Sequence, residues 1–211
     1  MKLTVFGATG RTGREVVRQA LDAGHQVTAV VRDPARLPIS HGALEVITAE
    51  VTSPDALRPV LAGRDAAISA LGPNGRKDVG IASRALTSIV RAMEGGDARR
   101  LVTLSAVPVG PIPDGEPLIY RAVVLPLIQR IFRDGYADLR AMEDEVRRSS
   151  LEWTVVRPPR LTDRPPTGKY RRVVGGNVAR GHTISRADLA HALLDCLDDP
   201  ATVKQAVGVA N

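Results

Sequence analysis

The chain has 211 residues, of which 44% are hydrophobic, and a formal net charge of +6 at pH 7. This length suits one compact α/β domain with a sizeable core. The basic residues are mostly arginines that occur singly or in pairs, and only 3% of the chain is aromatic. Composition therefore excludes an aromatic stacking platform for nucleic acid, and we expect no nucleic-acid partner. The positive balance suits an anionic cofactor instead.

Signals for export, membranes, metals and thiol chemistry are weak. The N-terminus runs directly into a β-branched segment, so we expect no signal peptide, and no apolar run reaches the length of a membrane span, so we expect no membrane partner. The four histidines are not at metal-ligand spacing, so no metal site is expected. Cys196 shares a helix face with leucines, which predicts a buried thiol. Cytoplasmic residence is the resulting expectation.

The chain opens with a strand, a glycine-rich turn and a helix. The strand covers 2–6, the turn has the spacing G-x-x-G-x-x-G over 7–13, and apolar residues recur at helical spacing over 16–21. Such glycines let a dinucleotide pyrophosphate lie against bare backbone at a helix N-terminus, where free N–H groups favour negative charge. A tight turn without a ligand is the alternative. The residues expected to bind a cofactor here are Gly7, Thr9, Gly10, Arg11, Thr12 and Gly13.

The tip of the second strand indicates which dinucleotide binds. In nicotinamide-binding folds a carboxylate at this place binds the 2′-hydroxyl of the adenine ribose, whereas an arginine pairs with a 2′-phosphate. Arg32, Arg36 and Arg11 therefore favour NADP(H) over NAD(H). Asp33 is the rival ribose ligand, but it precedes a proline and is typical of a helix N-cap. A solvated polar turn is the alternative for the arginines.

Strands and helices alternate along the rest of the chain. This pattern predicts a Rossmann-like, doubly wound α/β fold with a mainly parallel sheet and a single domain over 1–211. Substrate-side segments are expected at about 106–150 and 158–185. The later predicted strands are 27–31, 44–48, 65–70, 101–105, 153–156 and 206–210. The later predicted helices are 53–61, about 79–93, 118–148 with an interruption at Gly135, and one that a capping box opens at Ser185.

Ligands in open α/β sheets bind beyond the carboxyl ends of the strands. After the third strand we expect residues near the adenine, and after the fourth a backbone stretch near the cofactor. After the fifth strand a hydroxyl is expected beside the nicotinamide, and after the sixth a stretch in which Pro158 contacts the cofactor and Pro159 and Arg160 border the acceptor. In strand order the candidates are Glu50 and Val51, then Ala70, Leu71, Gly72 and Pro73, then Ser105, then Pro158, Pro159 and Arg160.

These motifs resemble a known family. The glycine turn at 7–13, the strand end at 30–33, the Leu71-Gly72 pair, the stretch at 153–158 and the helix start at 184–189 resemble the atypical short-chain dehydrogenases of the NmrA-like NAD(P)H-binding group. Within that group the chain is similar to the biliverdin-IXβ reductase/flavin reductase type over nearly its whole length. The resemblance implies a Rossmann-like fold, NADPH as cofactor, and hydride delivery to flavins such as FMN or FAD or to related planar acceptors.

One departure from the wider family restricts the chemistry. Many short-chain dehydrogenases that reduce carbonyls use a tyrosine with a lysine four places on, and none of Tyr120, Tyr136 and Tyr170 has that lysine. Arg140 follows Tyr136 at this spacing, but a guanidinium cannot shed a proton near neutrality. Sugar epimerisation and ordinary ketone reduction are therefore disfavoured.

Hydride transfer to a small-molecule planar acceptor does not need the tyrosine–lysine pair. We expect Ser105 to orient the nicotinamide or acceptor, although a strand-end hydroxyl bonded to local backbone is as good an interpretation. Tyr136 is the other catalytic candidate. Arg160 stands where flavin reductase relatives have a histidine, which favours an anionic acceptor. Segment 107–117 is expected to be a lid, a substrate wall or a surface loop. The alternative function is an NADP(H)-binding redox sensor that docks on a protein partner without turnover.

Overall fold

The structure, a computed structural model, describes residues 1–72 and 80–211 of the chain. Eight strands form the main sheet in the order β3-β2-β1-β4-β5-β6-β10-β8, and a second small sheet pairs β7 with β9. Every pair in the main sheet is parallel except that of β8 with β10. The strands are β1 (Lys2–Phe6), β2 (Gln26–Val31), β3 (Leu44–Thr48), β4 (Ala66–Ser69), β5 (Arg100–Leu104), β6 (Glu152–Arg157), β7 (Arg160–Thr162), β8 (Arg171–Val174), β9 (Thr183–Ser185) and β10 (Gln205–Ala210).

Helices cover both faces of the main sheet. The first and last helices share one hydrophobic core cluster, while α2, α3 and α5 contribute to a second cluster on the other face. Among residues 1–72 and 80–211, no helix combines the length and the apolar character needed to cross a bilayer. The helices are α1 (Arg11–Asp22), α2 (Pro54–Leu61), α3 (Ile81–Glu94), α4 (Leu125–Ile131), α5 (Arg133–Arg148) and α6 (Arg186–Asp198).

The predicted fold class is confirmed, and each predicted strand appears with its ends within one residue of the expected ones. Asp33 accepts a hydrogen bond from the N–H of Ala35 at 3.1 Å, so it caps a 3₁₀ turn at Pro34–Arg36 as the N-cap interpretation predicts. The predicted start of the third helix near residue 79, like the expected cofactor contact at Pro73, lies outside the described residues.

The prediction of a break at Gly135 is wrong, because this glycine lies inside α5. The helical stretch is interrupted instead at Phe132, where φ is −107° and ψ is 25°. A wide π-type turn at Tyr120–Val124 precedes α4. Sequence analysis also missed three short strands, β7, β8 and β9. β7 and β9 have three residues each, and β8 is exposed along its whole length. None of the three therefore has an alternating apolar pattern long enough to predict a strand.

Two glycines set how closely α1 approaches the end of β1. Gly7 has φ of +77°, and a Cβ atom at this position would lie 2.8 Å from the carbonyl group of Ala70, at the end of the neighbouring strand β4. A Cβ atom on Gly13 would lie 2.1 Å from the carbonyl oxygen of Gly7. Side chains at these positions would therefore push the helix and both strands apart.

A buried arginine lies at the other end of the parallel strands, where β5 begins. Arg100, at the start of β5, donates to the carbonyl of Glu152 at 2.6 Å, to the carbonyl of Leu197 at 3.2 Å and also to the carbonyl of Cys196. Its guanidinium further donates to the hydroxyls of Thr154 at 2.7 Å and Thr202 at 2.9 Å. Burial lowers the pKa of Arg100. Five hydrogen bonds thus tie together β5, β6 and the end of α6.

We predict that Gly13→Ala lowers the free energy of unfolding by about 3 kcal/mol, because the added methyl group overlaps the Gly7 carbonyl oxygen and the helix must move away. Urea denaturation measures this change. Gly135→Ala is the matched control, since a Cβ atom there meets nothing within 4 Å and an alanine within α5 gains up to about 1 kcal/mol. Equal effects of the two substitutions would contradict the packing argument.

Candidate functional site

A cavity of about 330 Å³ lies at the carboxyl edge of the sheet, beside the point where the strand order reverses between β1 and β4. Open α/β sheets bind their ligands at this switch point. The structure brings together nine of the predicted cofactor-binding residues around the cavity: Gly7, Thr9, Gly10, Arg32, Glu50, Val51, Ala70, Leu71 and Gly72.

The N-terminus of α1 opens at this cavity without a cap. Gly10 is the N-cap residue, and no described side chain accepts a hydrogen bond from the first turn, which also has no acidic residue. The N-termini of α2, α3 and α6 are capped by Ser53, Asp138 and Ser185 respectively. The free amides and the helix dipole of α1 therefore leave a positive end that suits a phosphate group.

Two residues of opposite charge, Arg32 after β2 and Glu50 after β3, line the same cavity. Glu50 accepts hydrogen bonds from the hydroxyl of Thr52 at 2.7 Å and from its backbone N–H at 3.1 Å. These bonds, followed by the charge of Arg32, lower the pKa of Glu50. Arg32 is exposed and forms no ion pair with any residue in 1–72 or 80–211. Its guanidinium is therefore available to an anionic ligand in the cavity.

Five other predicted cofactor residues do not line this cavity, and one of them, Pro158, lines a second cavity instead. Arg11 forms an ion pair with Asp163 at 2.7 Å and borders a separate surface pocket. The backbone carbonyl of Arg36 accepts from the guanidinium of Arg14 at 2.8 Å, and its own side chain is exposed outside the cavity. Thr12 and Gly13 are buried in the first turn of α1. The last two support the glycine turn through packing.

A second cavity, of about 620 Å³, lies beyond the ends of β5 and β6. It is lined mostly by aromatic and apolar side chains, with Arg160 supplying a positive charge and His182 an imidazole. Its walls include the predicted substrate or catalytic residues Tyr136, Pro159 and Arg160, the predicted cofactor residue Pro158, and Val107 and Pro108 from the segment expected as a lid, substrate wall or surface loop. The lining residues that sequence analysis did not assign to the site are Ala106, Tyr120, Val124, Ile128, Phe132, Gly181, His182 and Thr183.

The two tyrosines of this second cavity keep their protons at neutral pH. Burial and the neighbouring Tyr120 raise the pKa of Tyr136, and burial and Glu116 raise the pKa of Tyr120. The ring centroids of Phe132 and Tyr136 are 6.0 Å apart, as are those of Tyr120 and His182. A raised phenol pKa is the opposite of the shift that a neighbouring lysine produces, so this cavity, an aromatic slot, presents neutral phenols.

Ser105 lies at the end of β5, beside a buried ion pair. The fully buried carboxylate of Glu143 accepts from Arg157 at 2.9 and 2.5 Å and from Arg147 at 2.5 Å. Burial opposes ionisation of Glu143, but the hydrogen bonds from Arg157 and Ser105 and the charges of both arginines bring its pKa below the ordinary value of 4.5. The negative charge of Glu143 is therefore balanced within the protein by the two arginines.

The hydroxyl of Ser105 helps to lower the Glu143 pKa, yet it makes no hydrogen bond of regular geometry with any described group. Only the backbone N–H of Ser105 is bonded, to the carbonyl of Val156 at 2.8 Å. The interpretation of the hydroxyl as a partner of the local backbone is thus not what the structure contains. Ser105 is 8% exposed, lines neither cavity, and precedes the cavity residue Ala106.

Segment 107–117 is held to the rest of the protein by hydrogen bonds, and its first two residues, Val107 and Pro108, line the second cavity. The side-chain amide of Asn177 donates to the carbonyls of Val107 at 3.1 Å and Pro111 at 2.8 Å. Farther along, Glu116 accepts from the backbone N–H of Arg180 at 2.6 Å. Arg157 fits beneath the segment because Gly110 has no side chain: a Cβ atom there would lie 2.3 Å from the guanidinium. The segment is therefore tied to the structure along its length.

Several residues of the site were not predicted. Arg84, in the first turn of α3, lines the first cavity together with Val30, Val31, Thr52 and Ile81. Since α3 follows β4, its N-terminus had to reach the carboxyl edge of the sheet, and this could have drawn attention to Arg84. The pairing of Glu143 with Arg157 joins a helix to the next strand, and no local pattern in the sequence signals it.

The comparisons with known proteins agree with this geometry. A family model described as NAD(P)H-binding matches residues 7–200. The protein YwnB of Bacillus subtilis (strain 168) is 29% identical over 209 residues, and the alignment covers 95% of this chain and 93% of YwnB. The similarity therefore extends over almost the whole of both proteins.

Two solved structures have the same fold. One, from Streptococcus pneumoniae TIGR4 and provisionally assigned as an NADH-flavin reductase, gives a TM-score of 0.81 at 24% identity and covers 100% of this chain and 99% of its own. The other is a short-chain dehydrogenase/reductase of the wide type from Veillonella parvula DSM 2008 in complex with NADP. Its TM-score is 0.79 at 21% identity, with 100% of this chain and 94% of its own covered.

We predict that Glu143→Gln lowers the free energy of unfolding by about 3–5 kcal/mol, because the charge of Arg157 then stays buried without its counter-charge. Asp144→Asn is the matched control, since Asp144 is exposed and contacts only Arg147, at 3.4 Å, which limits its effect to about 1 kcal/mol or less. Denaturant unfolding at pH 7 measures both changes.

The same pair has a defined pH dependence. The folded protein lowers the Glu143 pKa, so the stabilisation is complete above the ordinary value of 4.5 and is lost as the pH falls through the lower, folded-state pKa. The difference in stability between wild type and Glu143→Gln is therefore expected to shrink as the pH decreases below 4.5. A difference that stays constant down to acid unfolding would contradict an ionised Glu143.

Proposed function

Because the chain belongs to the NAD(P)H-binding family, we propose that it is an NADPH-dependent oxidoreductase that reduces a flavin, such as FMN or FAD, or a similar planar acceptor. One observation carries the proposal. Two cavities lie next to each other at the carboxyl edge of the sheet, one with a free helix N-terminus and arginines, and the other an aromatic slot. Their positions correspond to the two halves of a hydride-transfer site, one for the coenzyme and one for the acceptor.

The residues of the first cavity fit NADP(H). Gly7 and Gly10 leave the backbone bare at the start of α1, where the pyrophosphate would be held by amide N–H groups. Arg32 is free to pair with a 2′-phosphate, and Arg84 lines the same cavity. The NADP bound to the Veillonella neighbour supports this choice of coenzyme. We therefore assign the glycine turn and Arg32 as the coenzyme-binding residues of this chain.

When bound, the reduced coenzyme supplies a hydride to the acceptor, and a proton completes the two-electron reduction. The chain's own residues bind and orient the acceptor. Phe132, Tyr136 and Pro158 form flat apolar walls against which a planar ring can stack, and Arg160 offers a positive charge to an anionic substituent. The buried Ser105 directly precedes the cavity residue Ala106, and we propose that its hydroxyl orients the nicotinamide or passes a proton.

The acceptor class rests on the shape of this slot and on the streptococcal neighbour, whose provisional assignment as an NADH-flavin reductase supports a flavin. A sensor that binds NADP(H) without turnover is the second candidate. The absence of a tyrosine–lysine pair from the sequence and the raised pKa of Tyr136 favour it. Both candidates require the coenzyme to bind, so turnover separates them.

We predict that the purified protein oxidises NADPH in the presence of FMN, FAD or a quinone well above the uncatalysed rate, measured by the loss of nicotinamide absorbance. The planar acceptors are expected to be reduced, and simple ketones not, because the slot has no acidified phenol. Tight binding of both NADPH and NADP⁺ without turnover of any acceptor would instead assign the protein as a sensor.

We predict that Arg32→Asp raises the Kd for NADPH by roughly 10- to 100-fold, because a charged hydrogen bond to the 2′-phosphate is replaced by repulsion. NADH lacks that phosphate, so its Kd is expected to change little. Calorimetric titration measures both values. Arg36→Asp makes the same charge change four residues after Arg32 but outside the cavity, and serves as the control. Equal losses for NADPH and NADH would remove Arg32 from the 2′-phosphate site.

A further inference from the structure

The helical segment 118–136 carries two adjacent apolar stripes, each with a spacing of four residues. The inner stripe lines the second cavity, which is the proposed acceptor cavity. It consists of Tyr120, Val124, Ile128, Phe132 and Tyr136. The outer stripe is one position earlier in the sequence and consists of Ile119, Val123, Leu127 and Ile131. The members of the outer stripe are 73%, 58%, 56% and 64% exposed, in that order.

Such exposure is unusual for large apolar side chains placed in a row. Leu118 and Phe132, at the two ends of the stripe, are also more than half exposed. Scattered apolar residues on a surface need no explanation, but a continuous stripe of this kind marks an interaction site. None of the described residues covers it.

The charged side chains along the outer stripe are three arginines and, directly after Arg133, the exposed Asp134. Arg121, Arg130 and Arg133 are exposed on the same segment, and the sequence from 117 to 133 contains no aspartate or glutamate. An exposed apolar stripe flanked by arginines has the composition of helices that lie in the surface of an anionic bilayer. The charge pattern thus complements a negatively charged partner.

We propose that the outer stripe docks on the surface of an anionic lipid bilayer, with the apolar side chains in the acyl boundary and the three arginines at the lipid phosphates. A second copy of the chain is the less favourable occupant. A two-fold contact through the same stripe would bring two sets of three arginines together, with Asp134 as the one acidic residue that each segment supplies against them.

This orientation has a consequence for the acceptor cavity. Because the inner and outer stripes share one helical segment, docking places the wall of the cavity next to the bilayer. A planar apolar acceptor dissolved in lipid could then enter without crossing water. The docking itself depends only on the outer stripe, so it holds or fails independently of the proposed hydride transfer. The expectation of no membrane partner concerned spanning segments and does not address a helix that lies along a surface.

The test is co-sedimentation of the full chain with vesicles of phosphatidylcholine, with and without phosphatidylglycerol. Binding is expected only where phosphatidylglycerol is present, and it should weaken as salt is added. Leu127→Glu is expected to weaken binding about tenfold or more, because it places a charge in the apolar stripe. Replacing Arg121 and Arg130 by glutamine is expected to cost about fivefold for each arginine.

Val173→Glu is the matched control, since Val173 is also an exposed apolar residue but lies on β8, away from the stripe. It should bind vesicles as wild type does. Unchanged NADPH affinity in Leu127→Glu shows that this variant folds, because Leu127 lines neither cavity. The proposal is overturned if wild type ignores anionic vesicles, or if Leu127→Glu and Val173→Glu bind alike. A dimer that Leu127→Glu dissociates, without vesicle binding by wild type, would assign the stripe to a second copy.

Discussion

The close contact between the first turn of α1 and the end of β1 is the constraint from which the site follows. Without a side chain on Gly13, the helix start lies within van der Waals distance of the Gly7 carbonyl, and Gly7 in turn lies against the end of β4. The free amides of α1 are thereby brought to the edge of the sheet at which the strand order reverses. The cavity with Arg32 and Glu50 exists because three elements meet there without intervening side chains.

The two halves of the site differ in whether their arginines are paired with carboxylates. On the coenzyme side, Arg32 and Arg84 line an open cavity, and the nearby Glu50 is engaged by Thr52. On the acceptor side, Arg157 is buried and held by Glu143, so its charge is balanced within the protein. An open positive surface can bind a phosphate, whereas a balanced buried pair keeps neighbouring groups in place. This contrast is why we place the anionic coenzyme at one cavity and a planar ring at the other.

Sequence analysis predicted the regular parts well and the irregular parts poorly. The fold class and the NAD(P)H-binding family are confirmed, because the glycine turn and the buried strands have strong local patterns. The break assigned to Gly135 lies instead at Phe132, where the chain turns between α4 and α5. The position of Glu143 beside Arg157 depends on how α5 lies against β6. Contacts of this kind are set by tertiary packing, which spacing along a chain does not encode.

Arg100 affects local unfolding at the end of the sheet where β5 and β6 begin. The last turn of α6 has no basic residue, and the guanidinium of Arg100 takes the place of a C-terminal cap by binding the carbonyls of Cys196 and Leu197. The same group holds Thr202, in the turn that leads into the final strand. Helix ends ordinarily fray one residue at a time. Here release of one side chain would free the helix end, the turn and two strand starts together, so fraying at this edge becomes a concerted event.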